Sequence, residues 1–525
     1  MSVVGPAAGA LNRHARRAAR ARARRSRGFT LVELVISLVA GLIVAMAVMG
    51  VSKEATNTFH EEVRVAGAEM GLRIAMERIR LDLGRAAFMG TGNLAGDPLV
   101  ARAANYVGTS PNLSNFVGGS IPYSLQWLSG ITLRPEQASV LQDANGKAQL
   151  TQAANNLQPD SIDIAGNFSS SDEYAASIVW NPPSAGACAA TAAISLEMTT
   201  PAGWRIRNAE TAASTTSGYK AGQALQAAFH PGASITSSFL LKLNDQSGHS
   251  QYLVSCPGGI GVSTTYSPIG TVPTAMIYLS PVSKILSTND TGGVGGVAGF
   301  AAGWVTVSPL EIARWDIETP AQLTTQVATA VVPASYIYNQ TATGAIDGSD
   351  FLLTRSYLDM SANCTSSTPC APDPDTVEVI AEYAVDLKFG LTVDSVVNPL
   401  CTGPTAFPCP QTAPTYTGSP LLNYRMDSLT STTNNAYTAQ TAAYTGGIGP
   451  QRIRDVQVRV GVRGPFGDRA VDISMPSTSS ALSNGYLLRY KLDNSALHYN
   501  AANPYARVRE TTAEVGLPNQ ARFYW

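Results

Sequence analysis

The sequence predicts an α+β protein: one long N-terminal helix followed by a large, loop-rich region of antiparallel β-structure. Three observations carry this reading. Proline is absent from Phe29 through Phe88, where apolar residues recur with a helical period. Beyond about residue 90, short apolar or alternating runs are punctuated by Gly, Ser, Thr, Asn and Pro. With 45% hydrophobic and 14% charged residues over 525 positions, the chain can fill one large or two to three ordinary domains.

The helix divides into halves. From Phe29 to Val51 the 23 residues are almost uniformly apolar, and at about 1.5 Å per residue they extend roughly 35 Å, enough to cross a bilayer. Residues 1–28 hold eight arginines (Arg13, Arg16, Arg17, Arg20, Arg22, Arg24, Arg25, Arg27) and no acid. Such a basic flank stays cytoplasmic, which puts the C-terminal bulk on the far side. Without those eight the balance is 28 basic to 37 acidic residues, a net of −9, and bulk charge gives no support for nucleic-acid binding. A secretory signal would have a shorter apolar core and a small-residue cleavage site after it. Past Val51 the pattern turns amphipathic: Val65, Ala68, Leu72, Ala75, Ile79, Leu83 and Ala86 form a stripe, with Glu69, Arg73, Glu77, Arg78, Asp82 and Arg85 on other faces. The expected organisation is a basic leader (1–28), a membrane-spanning half-helix (29–51), an amphipathic half-helix (52–88, ended by "MGTGN") and a β-rich region (89–525).

Within the apolar run stands one acid, Glu33, whose burial in a membrane costs on the order of 3 kcal/mol and so calls for a partner. Its setting, Arg27-Gly28-Phe29-Thr30-Leu31-Val32-Glu33-Leu34, resembles the class III signal of type IV prepilins. The resemblance implies that a prepilin peptidase cuts after Gly28 and methylates the new amino terminus on Phe29. It also implies that Thr30 and Glu33 serve subunit assembly. Phe29 and Glu33 stand at i and i+4, so an acid at that depth can neutralise the amine of a neighbouring subunit.

Three further stretches, Gly71–Gly90, Val379–Gly390 and Arg452–Arg463 followed by "ARVRETTAEV", resemble the post-anchor helix and sheet strands of the PilW family of minor pilins. That likeness implies a pilin-like fold, the helix packed on an antiparallel sheet, with a large β-rich extension. It implies an inner-membrane protein that joins other minor pilins and the major pilin to initiate or cap a pilus at the cell surface. A J-type pseudopilin of a type II secretion system, and a surface adhesin that uses a prepilin signal, are the rival readings.

The expected strands are Ser161–Gly166, Ser238–Leu243, Ala275–Ser280, Phe351–Met360, Thr376–Val393, Arg454–Arg463 and Tyr505–Leu517. In Arg454–Arg463, Val456, Val458, Val460 and Val462 alternate with Asp455, Gln457, Arg459 and Gly461, which predicts one buried and one wet face. Segments near 101–155, 205–235 and 411–450 read as loops or decorations.

Six cysteines suit local disulfides: Cys364 with Cys370, Cys401 with Cys409, and Cys188 with Cys256, although spacing alone leaves connectivity open. Disulfides place the folded part outside the cytoplasm. A zinc site would need Cys-x2-Cys spacing or nearby histidines, and the five histidines are scattered. The "TGGVGGVAGF" stretch (Thr291–Phe300) is similar in spacing to a dinucleotide loop, but lacks a leading strand and a following helix. "IDGSD" (Ile346–Asp350) and "SSSDEY" (Ser169–Tyr174) carry oxygen ligands without full calcium-loop spacing and read as solvated turns. No phosphate loop, His-Glu-x-x-His or Gly-x-Ser-x-Gly occurs. The expectation is therefore no enzyme, no cofactor, no metal and no catalytic residue.

Overall fold

The computed structural model describes residues 30–94, 97, 99–100, 125, 128–141, 157–182, 189–190, 192–196, 225, 227–230, 237–246, 248–263, 274–280, 285, 304–320, 322–323, 351–360, 370–394, 421–429, 449–465, 482–483, 486–487, 489–492 and 505–522. The chain falls into two units, 1–66 and 67–525.

A single helix, α1 (Leu31–Gly84, 54 residues), runs without a break through Gly41 and Gly50. In unit 1 its apolar residues are exposed throughout, from Leu31 to Val51. In unit 2 the stripe residues Leu72, Ala75, Met76, Ile79 and Leu83 are buried; Ala68 is partly covered, and the side chain of Val65 lies outside the described residues. Each fully buried Leu or Ile contributes about 1.5–3 kcal/mol.

The helix stops at Gly84, short of the expected residue 88. There the chain tightens into i→i+3 bonds, Ala86 N–H to Leu83 O and Phe88 N–H to Arg85 O, and Ala87 N–H turns to Ala165 O at 2.8 Å. Gly166 makes this approach feasible, since a Cβ there would lie 2.3 Å from Arg85 O. The carbonyls left open at the helix end are met by the C-terminal segment. Asn519 Nδ2 donates to Gly84 O at 2.9 Å, and Arg522 Nη2 to Ala87 O and Gly90 O at 3.4 Å.

Seventeen strands are described: β1 (Ile131–Arg134), β2 (Ser161–Gly166), β3 (Tyr174–Trp180), β4 (Ala192–Leu196), β5 (Leu240–Asn244), β6 (Ser250–Ser263), β7 (Thr274–Leu279), β8 (Trp304–Glu318), β9 (Leu352–Tyr357), β10 (Glu378–Glu382), β11 (Ala384–Asp394), β12 (Leu421–Tyr424), β13 (Ile453–Arg463), β14 (Leu482–Ser483), β15 (Tyr486–Leu487), β16 (Arg489–Lys491) and β17 (Tyr505–Gly516). Their ladders are antiparallel. One sheet runs β12-β11-β13-β17-β16, and β14 pairs β15 apart from it.

The other large sheet turns on β8, whose 15 residues serve two structures. Residues 311–318 pair with β2 and β9, which in turn carry β1 and β10. Residues 304–310 pair with β3 on one side and β5 on the other, and the path β3-β4-β7-β6-β5 returns to β8. Six strands thus close into a barrel, which leaves no open edge. Its interior is filled by Ala176, Ile194, Leu241, Leu253, Ile277 and Val307, with Leu225 and Phe229 packed among them.

The stripe of α1 packs against both sheets in one core, meeting Ile162 and Ile164 of β2, Trp315 and Ile317 of β8, and Leu387, Phe389, Val458 and Val460 of β11 and β13. The antiparallel sheet expected beside the helix is therefore two sheets, and the β-rich extension includes a closed barrel.

Several strand readings change. The run Thr376–Val393 splits at Tyr383, whose φ of 58° lies in the left-handed region. The face of β13 expected to be wet is covered where Arg459 lies buried beside Asp386 of β11. Segments read as loops contain β1 and β12. Strands β3, β4, β6 and β8 were not expected from the sequence, and in β6 the Cys256-Pro257-Gly258-Gly259 stretch is absorbed as a register shift against β7.

Candidate functional site

The start of α1 is built from its first turn. Thr30 stands at the cap: its carbonyl takes the first helical bond, from Leu34 N–H at 3.1 Å, and its Oγ1 accepts Glu33 N–H at 3.3 Å. The Glu33 Oε2 lies 3.5 Å from the same hydroxyl, which donates to it. This Ser/Thr-x-x-Glu pattern before an apolar run is a capping box in the sequence, and its capping role was not part of the sequence reading. An acid in the first turn also complements the positive end of the helix.

Beyond the cap, residues 31–56 are long and apolar enough to cross a membrane, and none of that stretch is buried within the chain. Ser37, a polar residue inside it, donates to Leu34 O at 2.9 Å and so brings no unsatisfied hydroxyl into a lipid environment. Exposure reaches 80% at Leu31 and 72% at Val51. Soluble domains do not leave so long an apolar surface open; a bilayer or neighbouring subunits cover such a surface.

A second acid on the same helix has different surroundings. Asp82 was read as lying off the packing stripe, yet it is buried, in unit 2. It accepts the Trp315 indole N–H at 2.9 Å and Arg355 Nε at 2.7 Å. Arg355 also donates to the Tyr357 hydroxyl at 3.0 Å. Burial alone would lower the Arg355 guanidinium, but the Asp82 charge outweighs it and the net shift is upward. The missed signal is spacing, since Asp82 lies three residues after Ile79 and four before Ala86.

Beside this pair, Glu311 of β8 accepts the Phe168 N–H at 3.1 Å, and burial, only partly offset, pushes it up to about 8. Tyr357 is pushed up to about 12 by burial and by Glu311. Farther along the core, Asp160 joins the two sheets, bonding Lys388 Nζ at 2.8 Å and Phe389 N–H at 3.0 Å, and burial raises it to about 6. Burial would also raise Asp163, but Arg134 and Arg314 hold it down to about 2. These are pairings of a packed core and do not line an open site.

Of the remaining candidates, Gly28 and Phe29 lie outside the described residues, as do Cys188, Cys364, Cys401, Cys409, Ile346–Asp350 and Thr291–Phe300. Cys256 and Cys370 are buried, and no cysteine is free among the described residues. The Ser169–Tyr174 stretch is a turn closed on itself, with Asn167 Oδ1 accepting from Ser169 Oγ and Ser170 N–H. No cluster of three metal-ligating side chains occurs among the described residues.

The model of the prokaryotic N-terminal methylation motif matches residues 23–49. This prepilin-type motif takes in Arg24, Arg25 and Arg27, the Gly28–Phe29 step, the Thr30–Glu33 cap and most of the exposed apolar stretch. It supports a type IV pilin-like or pseudopilin-like protein, handled by prepilin peptidase and by pilus assembly machinery in general. Together with the apolar helix it is consistent with membrane anchoring. No curated protein and no solved structure matches the chain.

Proposed function

We propose that this protein is a minor prepilin of the PilW type. It is inserted in the inner membrane with the arginine-rich leader in the cytoplasm and residues beyond the span in the periplasm. Prepilin peptidase removes residues 1–28 and methylates Phe29. The mature chain joins other minor pilins, at the start or tip of a filament built of the major pilin. In this reading the protein is a substrate of the peptidase with no catalytic residue and no cofactor, and it binds no nucleic acid directly. Its cysteines pair in the oxidising periplasm as Cys364–Cys370, Cys401–Cys409 and Cys188–Cys256.

The observation that carries the reading is the methylation motif laid over a helix whose apolar first half, from Leu31 to Val51, is exposed. The packing of the second half of α1 onto antiparallel sheets adds support, because a pilin-like head has that arrangement. The six-stranded barrel favours a second reading, in which the same anchor carries an adhesive module. Filaments sheared from cells decide between them. The minor-pilin reading expects a few copies per filament and loss of filaments on deletion of the gene. Normal filament number with lost surface attachment would favour the adhesin instead.

A further inference from the structure

Asp160 stands where the two large sheets meet. It directly precedes β2, yet its N–H donates to Leu387 O of β11 at 2.8 Å. Its carboxylate holds three donors: Lys388 Nζ and Glu136 N–H on Oδ1, each at 2.8 Å, and Phe389 N–H on Oδ2 at 3.0 Å. The Lys388 side chain is 9% exposed and that of Asp160 is 0% exposed. Other buried aspartates, Asp82, Asp163, Asp386 and Asp394, pair with arginines. A guanidinium stays protonated and makes no covalent bond to its partner, whereas a lysine that gives up its proton is a nucleophile. Among the described ion pairs, only Lys388–Asp160 sets an amine against a buried carboxyl.

Burial makes this pair convertible. Away from water the two charges lose their hydration, so passing one proton from Nζ to Oδ1, which leaves an uncharged amine and acid, costs less than in solvent. Burial already pushes Asp160 up to about 6, against the downward pull of Lys388 and of the two backbone N–H groups.

We infer that Lys388 and Asp160 join in the folded protein as an intramolecular amide, a covalent staple between β11 of one sheet and the start of β2 in the other. The Nζ–Cγ bond forms and the Cγ–Oδ1 bond breaks. Nζ gives up two protons to Oδ1, which departs as water; the two charges of the pair cancel, and no oxidant, reductant or cofactor enters. Phe389 N–H stays on Oδ2 and stabilises the negative charge that gathers there in the tetrahedral intermediate. The acid is not activated, and proximity compensates: groups held in reacting geometry behave as if at about 10⁵–10⁸ M. An ion pair between the sheets opens and recloses. An amide does not, so the two sheets that pack on α1 stay joined under load.

The test is a peptide mass measurement on the full-length wild-type protein from detergent-solubilised membranes, reduced, alkylated and digested with trypsin. The expected product joins the peptide that carries Asp160 to the one that carries Lys388, one water lighter than their sum. Cleavage after Lys388 should be lost, because trypsin does not cut at an acylated lysine. Lys388→Arg keeps a positive charge beside Asp160 but cannot form the amide, and the joined product should vanish; Asp160→Ala should abolish it too. Full-length wild type recovered unfolded from inclusion bodies should give separate peptides, and the joined product should appear on refolding. Separate peptides from the folded wild type, with cleavage after Lys388, overturn the inference whether or not the variants fold. A joined product already present in chains that have never folded overturns it as well, because the fold would not be what makes the bond.

Discussion

Glu33 and Asp82 are two carboxylates on one helix, and they handle the cost of their charge in different ways. Asp82 is surrounded by fixed partners, the Trp315 indole and the Arg355 guanidinium, both supplied by strands far away in sequence. Among the described residues, Glu33 bonds Thr30, a neighbour three residues away, and its side chain is exposed. The same contrast holds for the apolar side chains around them. Those near Asp82 face two sheets, whereas those near Glu33 are exposed. One half of α1 is thus finished by folding; in the proposed function, a membrane and other subunits finish the other half.

The sharpest way to break this comparison is to remove each acid in turn. Glu33→Ala should leave the unfolding midpoint of the head unchanged and leave cleavage largely intact, while filament incorporation drops severely. Immunoblots of sheared filaments against total membranes measure that ratio, and normal incorporation would end the argument for a partner in another subunit. Asp82→Ala should do the reverse first. It strands a buried guanidinium and an indole N–H, and denaturant unfolding of the detergent-solubilised protein should show a loss of about 3–5 kcal/mol. A loss below about 1 kcal/mol would mean that Asp82 is not the anchor of α1 in the head.

Glu311 sharpens the comparison from the side of pH. Its carboxyl is raised to about 8 in the folded protein against an ordinary value near 4.5. The folded state therefore keeps a proton that the unfolded chain has released between those values. Stability contributed at this site is intact below about pH 4.5, declines as pH rises toward 8, and is level above that. Glu311→Gln should flatten the decline and raise stability at pH 8 by on the order of 2 kcal/mol. Parallel pH–stability curves for variant and wild type would contradict it. The smallest effect is expected at the helix end. Asn519→Ala frees the Gly84 carbonyl and should cost about 1 kcal/mol, read as a modest fall in the unfolding midpoint with no change in filament entry.

What the sequence allowed to be read follows the same division. The motif, the apolar span and the helical stripe depend on local spacing, and so does a strand such as β2, whose bounds match the expected Ser161–Gly166. The barrel depends on β8 pairing with both β3 and β5, which lie about 130 and 65 residues away. Its strands are also disguised: Pro309 interrupts β8, and Cys256-Pro257-Gly258-Gly259 makes β6 look like a loop. Alternation in β13 correctly picked out its valines, but not that Arg459 would be buried, because its partner Asp386 comes from another strand. At the site, Thr30 and Glu33 were legible as motif positions; their mutual cap was also present as a Thr-x-x-Glu pattern and was passed over. Asp82 was legible only as a charge near the stripe, since nothing local names Trp315 or Arg355.

The central claim is that the exposed half of α1 belongs to a processed prepilin. The most direct measurement is the N-terminal mass of the protein from membranes of cells with and without prepilin peptidase. A mature chain that begins at methylated Phe29 only when the peptidase is present is the predicted result. A chain that retains residues 1–28 in both strains, or is cut after the apolar stretch, would contradict it.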